Sequence, residues 1–81
     1  MSYWQLDVPK LVAAMHTVRQ HQGLSRRALG RKLGMSSSTI TRLDHGQRPE
    51  ADTLMAICKW LNADLRDFAI WHADKEEKAS E

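Results

Sequence analysis

The chain has 81 residues, 42% of them apolar and 27% charged, with a net charge of +2 and one cysteine. That length suits one small core, the composition is ordinary for a globular chain, and a lone cysteine excludes an internal disulfide framework. No apolar run approaches the roughly 18 residues of a membrane span, and the N-terminus lacks the charged-then-apolar plan of a secretory signal, so a cytoplasmic protein with no membrane partner is expected.

The distribution of charge says more than its sum. Residues 1–48 hold eight bases (Lys10, Arg19, Arg26, Arg27, Arg31, Lys32, Arg42, Arg48) against two acids, a balance of +6. Residues 49–81 hold four bases against eight acids, a balance of −4. Such polarity would turn the first half toward a polyanion, although a solvated basic face gives the same count.

No sustained period-two alternation occurs, and apolar residues recur at helical spacing, so an all-α architecture of five helices is expected. The first helix (8–22) starts at the N-cap Asp7 and carries the stripe Val8, Leu11, Val12, Met15 and Val18. Gly23 stops it. The second (25–33) starts at Ser25 and stops at Gly34, and the third (36–45) starts at Ser36 and stops at Gly46, with Pro49 barring any continuation. The fourth (51–61) carries Leu54, Ile57, Cys58 and Leu61 and ends at Asn62. Asp64 and Asp67 approximate a capping box for a fifth helix over 64–71. Four of these starts share an apolar pair flanking the cap (Leu6/Leu11, Leu24/Leu29, Met35/Ile40, Ala63/Phe68), the spacing of a hydrophobic staple that fixes the angle at which the chain enters each helix. Residues 1–73 form the expected domain, and the charged stretch 74–81, which lacks large apolar residues, is expected to be a disordered tail.

Residues 24–46 carry the functional signal. Leu29, Leu33, Met35, Ile40 and Leu43 supply an inward face across two short helices and a turn at Gly34. Gly30 sits mid-helix at a cost of about 1 kcal/mol relative to Ala, which close approach by the following helix would justify. On the third helix the outward face is left with Ser37, Ser38, Thr41 and Arg42, and Thr39 lies near the seam. Short hydroxyls followed by one guanidinium suit the major groove of double-stranded DNA. Arg42 is the candidate for direct readout, because its fork can pair with guanine O6 and N7. Read alone, the Ser-Ser-Ser-Thr run is equally a capped helix start.

With these residues in place, the chain resembles the lambda-repressor-like helix-turn-helix family, the Cro/repressor (XRE) type. The matching positions are Leu24-Ser25-Arg26, Leu29-Gly30, Gly34-Met35-Ser36, Thr39-Ile40-Thr41-Arg42-Leu43-Asp44, Gly46, Pro49 and Thr53-Leu54, within a likeness covering about residues 8–70. The resemblance implies a compact five-helix domain whose third helix enters the major groove, in a bacterial or phage transcriptional regulator, a repressor by preference. It implies base reading by Ser37, Ser38, Thr41 and Arg42. It implies phosphate contacts from Arg26 (where Gln is common), Arg27, Ser36, Thr39, His45, Gln47 and Arg48, the loop after Gly46 being one residue shorter than usual. It also implies a partly buried structural ion pair between Arg19 and Asp44. An antitoxin or protein-interaction adaptor with a small protein partner is the alternative use of the same fold.

The remaining residues offer less. His16 and His21 are five apart on one helix, no Cys-x-x-Cys or His-x-x-x-His spacing exists, and a metal site is not expected. No acid/base constellation, nucleophile elbow or glycine-rich phosphate loop appears, so neither an enzyme nor a cofactor is expected. Cys58 reads as a buried, inert thiol. Trp4, Trp60 and Trp71 fit either a second small core with Tyr3 or a homodimer surface formed by Trp60, Ile70 and Trp71.

Overall fold

A computed structural model describes residues 1–73. Four α-helices follow the expected caps: α1 (Val8–His21), α2 (Arg26–Leu33), α3 (Ser37–Asp44) and α4 (Ala51–Leu61). The side chains of Asp7, Ser25 and Ser36 accept from the amides of Lys10, Ala28 and Thr39 at 3.1, 3.0 and 3.2 Å. The Lys10 and Ala28 amides would otherwise lack a partner, whereas the Thr39 amide also reaches the Ser36 carbonyl at 3.1 Å, and such a cap stabilises by about 1 kcal/mol.

All four helices end in the same device. Two amides beyond the last turn bond back to earlier carbonyls, as in Gly34 to Arg31 at 3.3 Å and Met35 to Gly30 at 2.8 Å. The equivalent pairs are Gly23 and Leu24 after α1, Gly46 and Gln47 after α3, and Asn62 and Ala63 after α4. This is the Schellman motif, which needs one left-handed residue. At the α2–α3 turn that residue is Gly34, with φ of 70°.

Among the described residues the domain is mostly helical, as expected, but it has four helices and a small two-stranded sheet, and the expected fifth helix does not form. Leu65–Phe68 is a single 3-10 turn, and Ala69–His72 is a strand, β2, paired antiparallel with β1 (Tyr3–Leu6). The register is Tyr3 to His72, Trp4 to Trp71, Gln5 to Ile70 and Leu6 to Ala69. The capping box at Asp64 and Asp67 is present, but it caps only this one turn. Beyond Phe68, Ile70 and Trp71 are good strand formers, and Tyr3 and Trp4 supply an aromatic partner strand. The Asp7 amide donates to the Phe68 carbonyl at 2.6 Å, tying the ladder to the start of α1. The expected tail, 74–81, lies outside the described residues.

The core is Leu11, Met15, Leu29, Ile40, Leu43, Ile57 and Phe68, all essentially inaccessible, drawn from every helix and the 3-10 turn. Burying such side chains contributes roughly 1.5–3 kcal/mol each. Their common focus fixes α3 against α1 and α2 and leaves its opposite side free. Gly30 shows how tight the corner is: a Cβ there would lie 2.6 Å from the Met35 carbonyl oxygen and 3.5 Å from Ile40 Cδ1. The close approach comes first from the turn backbone and only second from the following helix.

Candidate nucleic-acid interface

The eight residues of α3 divide cleanly. Ile40 and Leu43 are buried, whereas Ser37, Ser38, Thr41 and Arg42 are all exposed and Thr39 sits at the boundary. The Ser36 cap accepts from the Thr39 amide and also bonds the Thr39 hydroxyl at 3.1 Å, so both hydroxyls lie at the start of α3, where the helix dipole favours an anion. Thr41 Oγ1 donates to the Ser37 carbonyl at 3.0 Å, which leaves its lone pairs outward as acceptors.

Arg27 on α2, Arg42 on α3 and Arg48 in the loop after it form no hydrogen bond or ion pair through their side chains among the described residues, so these guanidiniums stand free. An open cleft of about 330 Å³ lies between α3, the loop after it and the start of α4. It gathers Thr39, Arg42, Gln47 and Arg48, four of the DNA contacts expected from sequence, and adds Glu50 and Thr53, to which no contact was assigned. His45 behaves differently. Its Nδ1 donates to the Thr41 carbonyl at 2.8 Å, since a carbonyl can only accept, so its Nε2 can donate to a phosphate only from the doubly protonated ring.

A family model for the Cro/C1-type HTH DNA-binding domain matches residues 15–74. That match runs from the second half of α1 through β2 and contains the whole exposed α3 surface. The chain belongs to this family. It is therefore a DNA-binding domain of the transcription-regulator kind. No curated protein matches the chain. Among the described residues no helix is long and apolar enough to cross a membrane, and no His, Cys, Asp and Glu group could hold a metal ion.

The expected direct ion pair of this Cro/C1-type domain is not formed. Arg19 Nε donates to His16 Nδ1 at 2.9 Å and its Nη1 donates to the Leu24 carbonyl at 2.8 Å. Asp44 instead receives His16 Nε2 at 2.6 Å on Oδ1 and faces Arg26 Nη2 at 3.2 Å across Oδ2. The imidazole occupies the space between the two expected partners because His16 stands one turn before Arg19 on the same face of α1. Sequence reasoning weighed His16 only as a metal ligand. Its three-residue spacing from Arg19, on the face toward α3, was the signal that could have found it.

The surface assigned to Trp60, Ile70 and Trp71 divides in two. Trp60 packs on the core and lines a shallow groove with Lys32, Leu33, Ala56 and Lys59 between α2 and α4. Ile70 and Trp71 belong to the ladder, where Trp71 meets Trp4 with ring centroids 5.0 Å apart, and Tyr3 stacks on His72 at 4.7 Å. Cross-strand partners share a face, and so do residues two apart, so Trp4 and Trp71 continue the face on which Leu6 packs against the core. They nevertheless remain 66% and 47% exposed, because the helical body ends beneath Leu6. Cys58 is half-buried, and burial, followed by the charges of Asp64 and Asp67, pushes its thiol pKa up, which disfavours the reactive thiolate.

Proposed function

We propose that this domain is a cytoplasmic, sequence-specific repressor of transcription that lays α3 in the major groove of double-stranded DNA. The observation that carries this reading is the division of α3, with aliphatic residues fully buried on one side and only short hydroxyls and Arg42 exposed on the other. Arg42 reads a base, while Ser37, Ser38 and Thr41 approach base edges without naming one. Thr41, its proton committed to Ser37, favours a donor such as the amino group of adenine or cytosine. Arg26, Arg27, Ser36, Thr39, Gln47 and Arg48 meet phosphates, and His45 joins them only as the imidazolium.

Selection of bound duplexes from a random pool, followed by titration, tests the proposal. The selected duplex should exceed random duplex in affinity by about a thousandfold or more, the lower end of the roughly 10³–10⁷ range of specific binders. Arg42→Ala should remove about 1–3 kcal/mol of discrimination at one base pair. Arg26→Ala should weaken all duplexes alike and reduce the salt slope by about 0.9. Equal affinity for selected and random duplexes would reject sequence-specific reading.

The exposed Trp4–Trp71 pair favours a partner as well, and a second copy of the chain accounts for it best. One recognition helix spans few base pairs, and a two-fold dimer matches palindromic half-sites one turn apart. The two rings present on the order of 250 Å² per copy, well under the roughly 800 Å² per partner of a stable interface. The dimer is accordingly weak in solution and assembles on DNA. Sedimentation with and without a palindromic duplex distinguishes it from the alternative, a toxin-like or adaptor partner, for which the chain would stay monomeric on DNA.

A further inference from the structure

Asp44 is shared by the His16 imidazole and the Arg26 guanidinium, and the sharing has a direction. The Nε–H of Arg19 can only donate, so His16 Nδ1 accepts and the ring proton must sit on Nε2, aimed at Asp44 Oδ1. The other oxygen, Oδ2, is buried and lacks any well-aligned hydrogen bond; only the Arg26 guanidinium lies near it, at 3.2 Å. The side chains of His16 and Asp44 are 17% and 18% exposed, whereas Arg26 is 58% exposed at the start of α2. Asp44 is thus largely desolvated and takes its one good hydrogen bond from an imidazole fixed by Arg19, leaving Arg26 loosely held at Oδ2.

We propose that His16 is a positioning residue for DNA binding: by satisfying Asp44 it weakens the hold of this carboxylate on Arg26, already 3.2 Å away, so that the guanidinium can be released to a DNA phosphate. This rests on the phosphate role proposed for Arg26. A half-buried carboxylate deprived of its donor takes the nearest other one. Without His16, Asp44 draws Arg26 inward into a closed pair, and the contact with the phosphate is lost although Arg26 is still present. Arg19, held also by the Leu24 carbonyl, stays behind on the loop after α1.

The test is a thermodynamic cycle on the full chain, using a selected duplex and salt-dependent affinity. His16→Ala should lower affinity on the order of tenfold and make the salt slope shallower by about 0.9, as if one phosphate contact had been removed at a distance. In an Arg26→Ala background the same substitution should change neither quantity. His16→Gln, whose amide can donate to Asp44 and accept from Arg19, should restore both. Helical content by circular dichroism controls for folding. If His16→Ala does not fold, Asp44→Asn replaces it: the amide oxygen still accepts from His16, the charge that attracts Arg26 is gone, and affinity should rise severalfold only when Arg26 is present. An equal effect of either substitution with and without Arg26, or an unchanged salt slope in His16→Ala, overturns the proposal. Absence of salt-dependent binding by the unaltered chain would defeat the DNA-binding reading itself and is seen before any variant is made.

Discussion

The two ends of this molecule are built by different means. The α2–turn–α3 end is assembled from local instructions: Ser25 and Ser36 cap, Gly34 reverses the chain, and the amides of Gly34 and Met35 close back onto α2 within six residues. The β1–β2 end joins Tyr3 to His72 across nearly the whole chain, and its most conspicuous pair, Trp4 with Trp71, packs beyond the body and not inside it. Local assembly gives a surface whose shape is fixed before any ligand arrives, which suits the role proposed for α3 of presenting Arg42 at a set angle. Non-local assembly leaves aromatic area uncovered at the opposite pole. The difference teaches that the end proposed to face DNA is the pre-organised one, while the ladder is the place where a partner can still add structure.

The largest effect that sharpens this comparison is expected at Gly30. Alanine there gains roughly 1 kcal/mol of helix propensity. The new Cβ, however, would sit 2.6 Å from the Met35 carbonyl oxygen, backbone that cannot swing aside as a side-chain tip would. Overpacking of this kind costs about 1–3 kcal/mol, so Gly30→Ala should be destabilising by up to about 2 kcal/mol net in urea unfolding. Because the strain falls on the α2–α3 turn, affinity for a selected duplex should drop further than for random duplex. A stabilised Gly30→Ala protein would mean that the turn yields easily and is not the rigid end.

The contrast also explains what could be read from sequence. Caps, staples and left-handed stops lie within a few residues of one another, so α1 to α4 and the outward face of α3 were legible to within a residue or two. The strands were not, because four-residue segments such as Tyr3–Leu6 and Ala69–His72 show no period of their own and become strands only through each other. Asp64 and Asp67 reinforced the error: a true capping box announces a helix start but not its length. The site failed in one place for a related reason. The link between α1 and α3 was expected as Arg19 with Asp44, and a third residue, His16, could intervene only because packing brought its ring between them.

At the ladder, the effect should be smaller. An aromatic cross-strand pair contributes about 0.5–1.5 kcal/mol beyond area burial, and the exposure of both rings puts Trp4 with Trp71 toward the low end. A double-mutant cycle of Trp4→Ala and Trp71→Ala should therefore show a coupling near 0.5 kcal/mol on chemical unfolding, about the lower bound of that range. Random-duplex affinity should be unchanged, since neither ring faces α3. A coupling exceeding the Gly30→Ala penalty would invert the comparison and make the long-range ladder the main brace of the fold.

The smallest effect lies at the junction between the two regimes, where Asp64 opens the 3-10 turn that leads into β2. Arg66 donates from Nη2 to Asp64 Oδ2 at 2.9 Å and from Nε to Oδ1 at 3.2 Å, and the Arg66 amide adds a bond of 2.8 Å to Oδ1. These contacts, the side-chain hydrogen bonds foremost, lower the Asp64 carboxyl from 3.8 to about 2. A lowered folded-state pKa means that the charged form is bound more tightly in the native chain than in the unfolded one. The resulting stability is present above about pH 4, where the unfolded carboxylate is ionised, and is lost as pH falls through 4 toward 2. Both groups are fully exposed, so the pair is screened by salt and its contribution is slight. Asp64→Asn keeps a side-chain acceptor for the amide at the turn but removes the charge. The difference in melting temperature between the unaltered chain and this variant should be small at pH 6 and should shrink further between pH 4 and pH 2. A difference that stayed constant over that interval would show that Asp64 acts as a neutral cap, and that the passage from α4 into the ladder owes nothing to its charge.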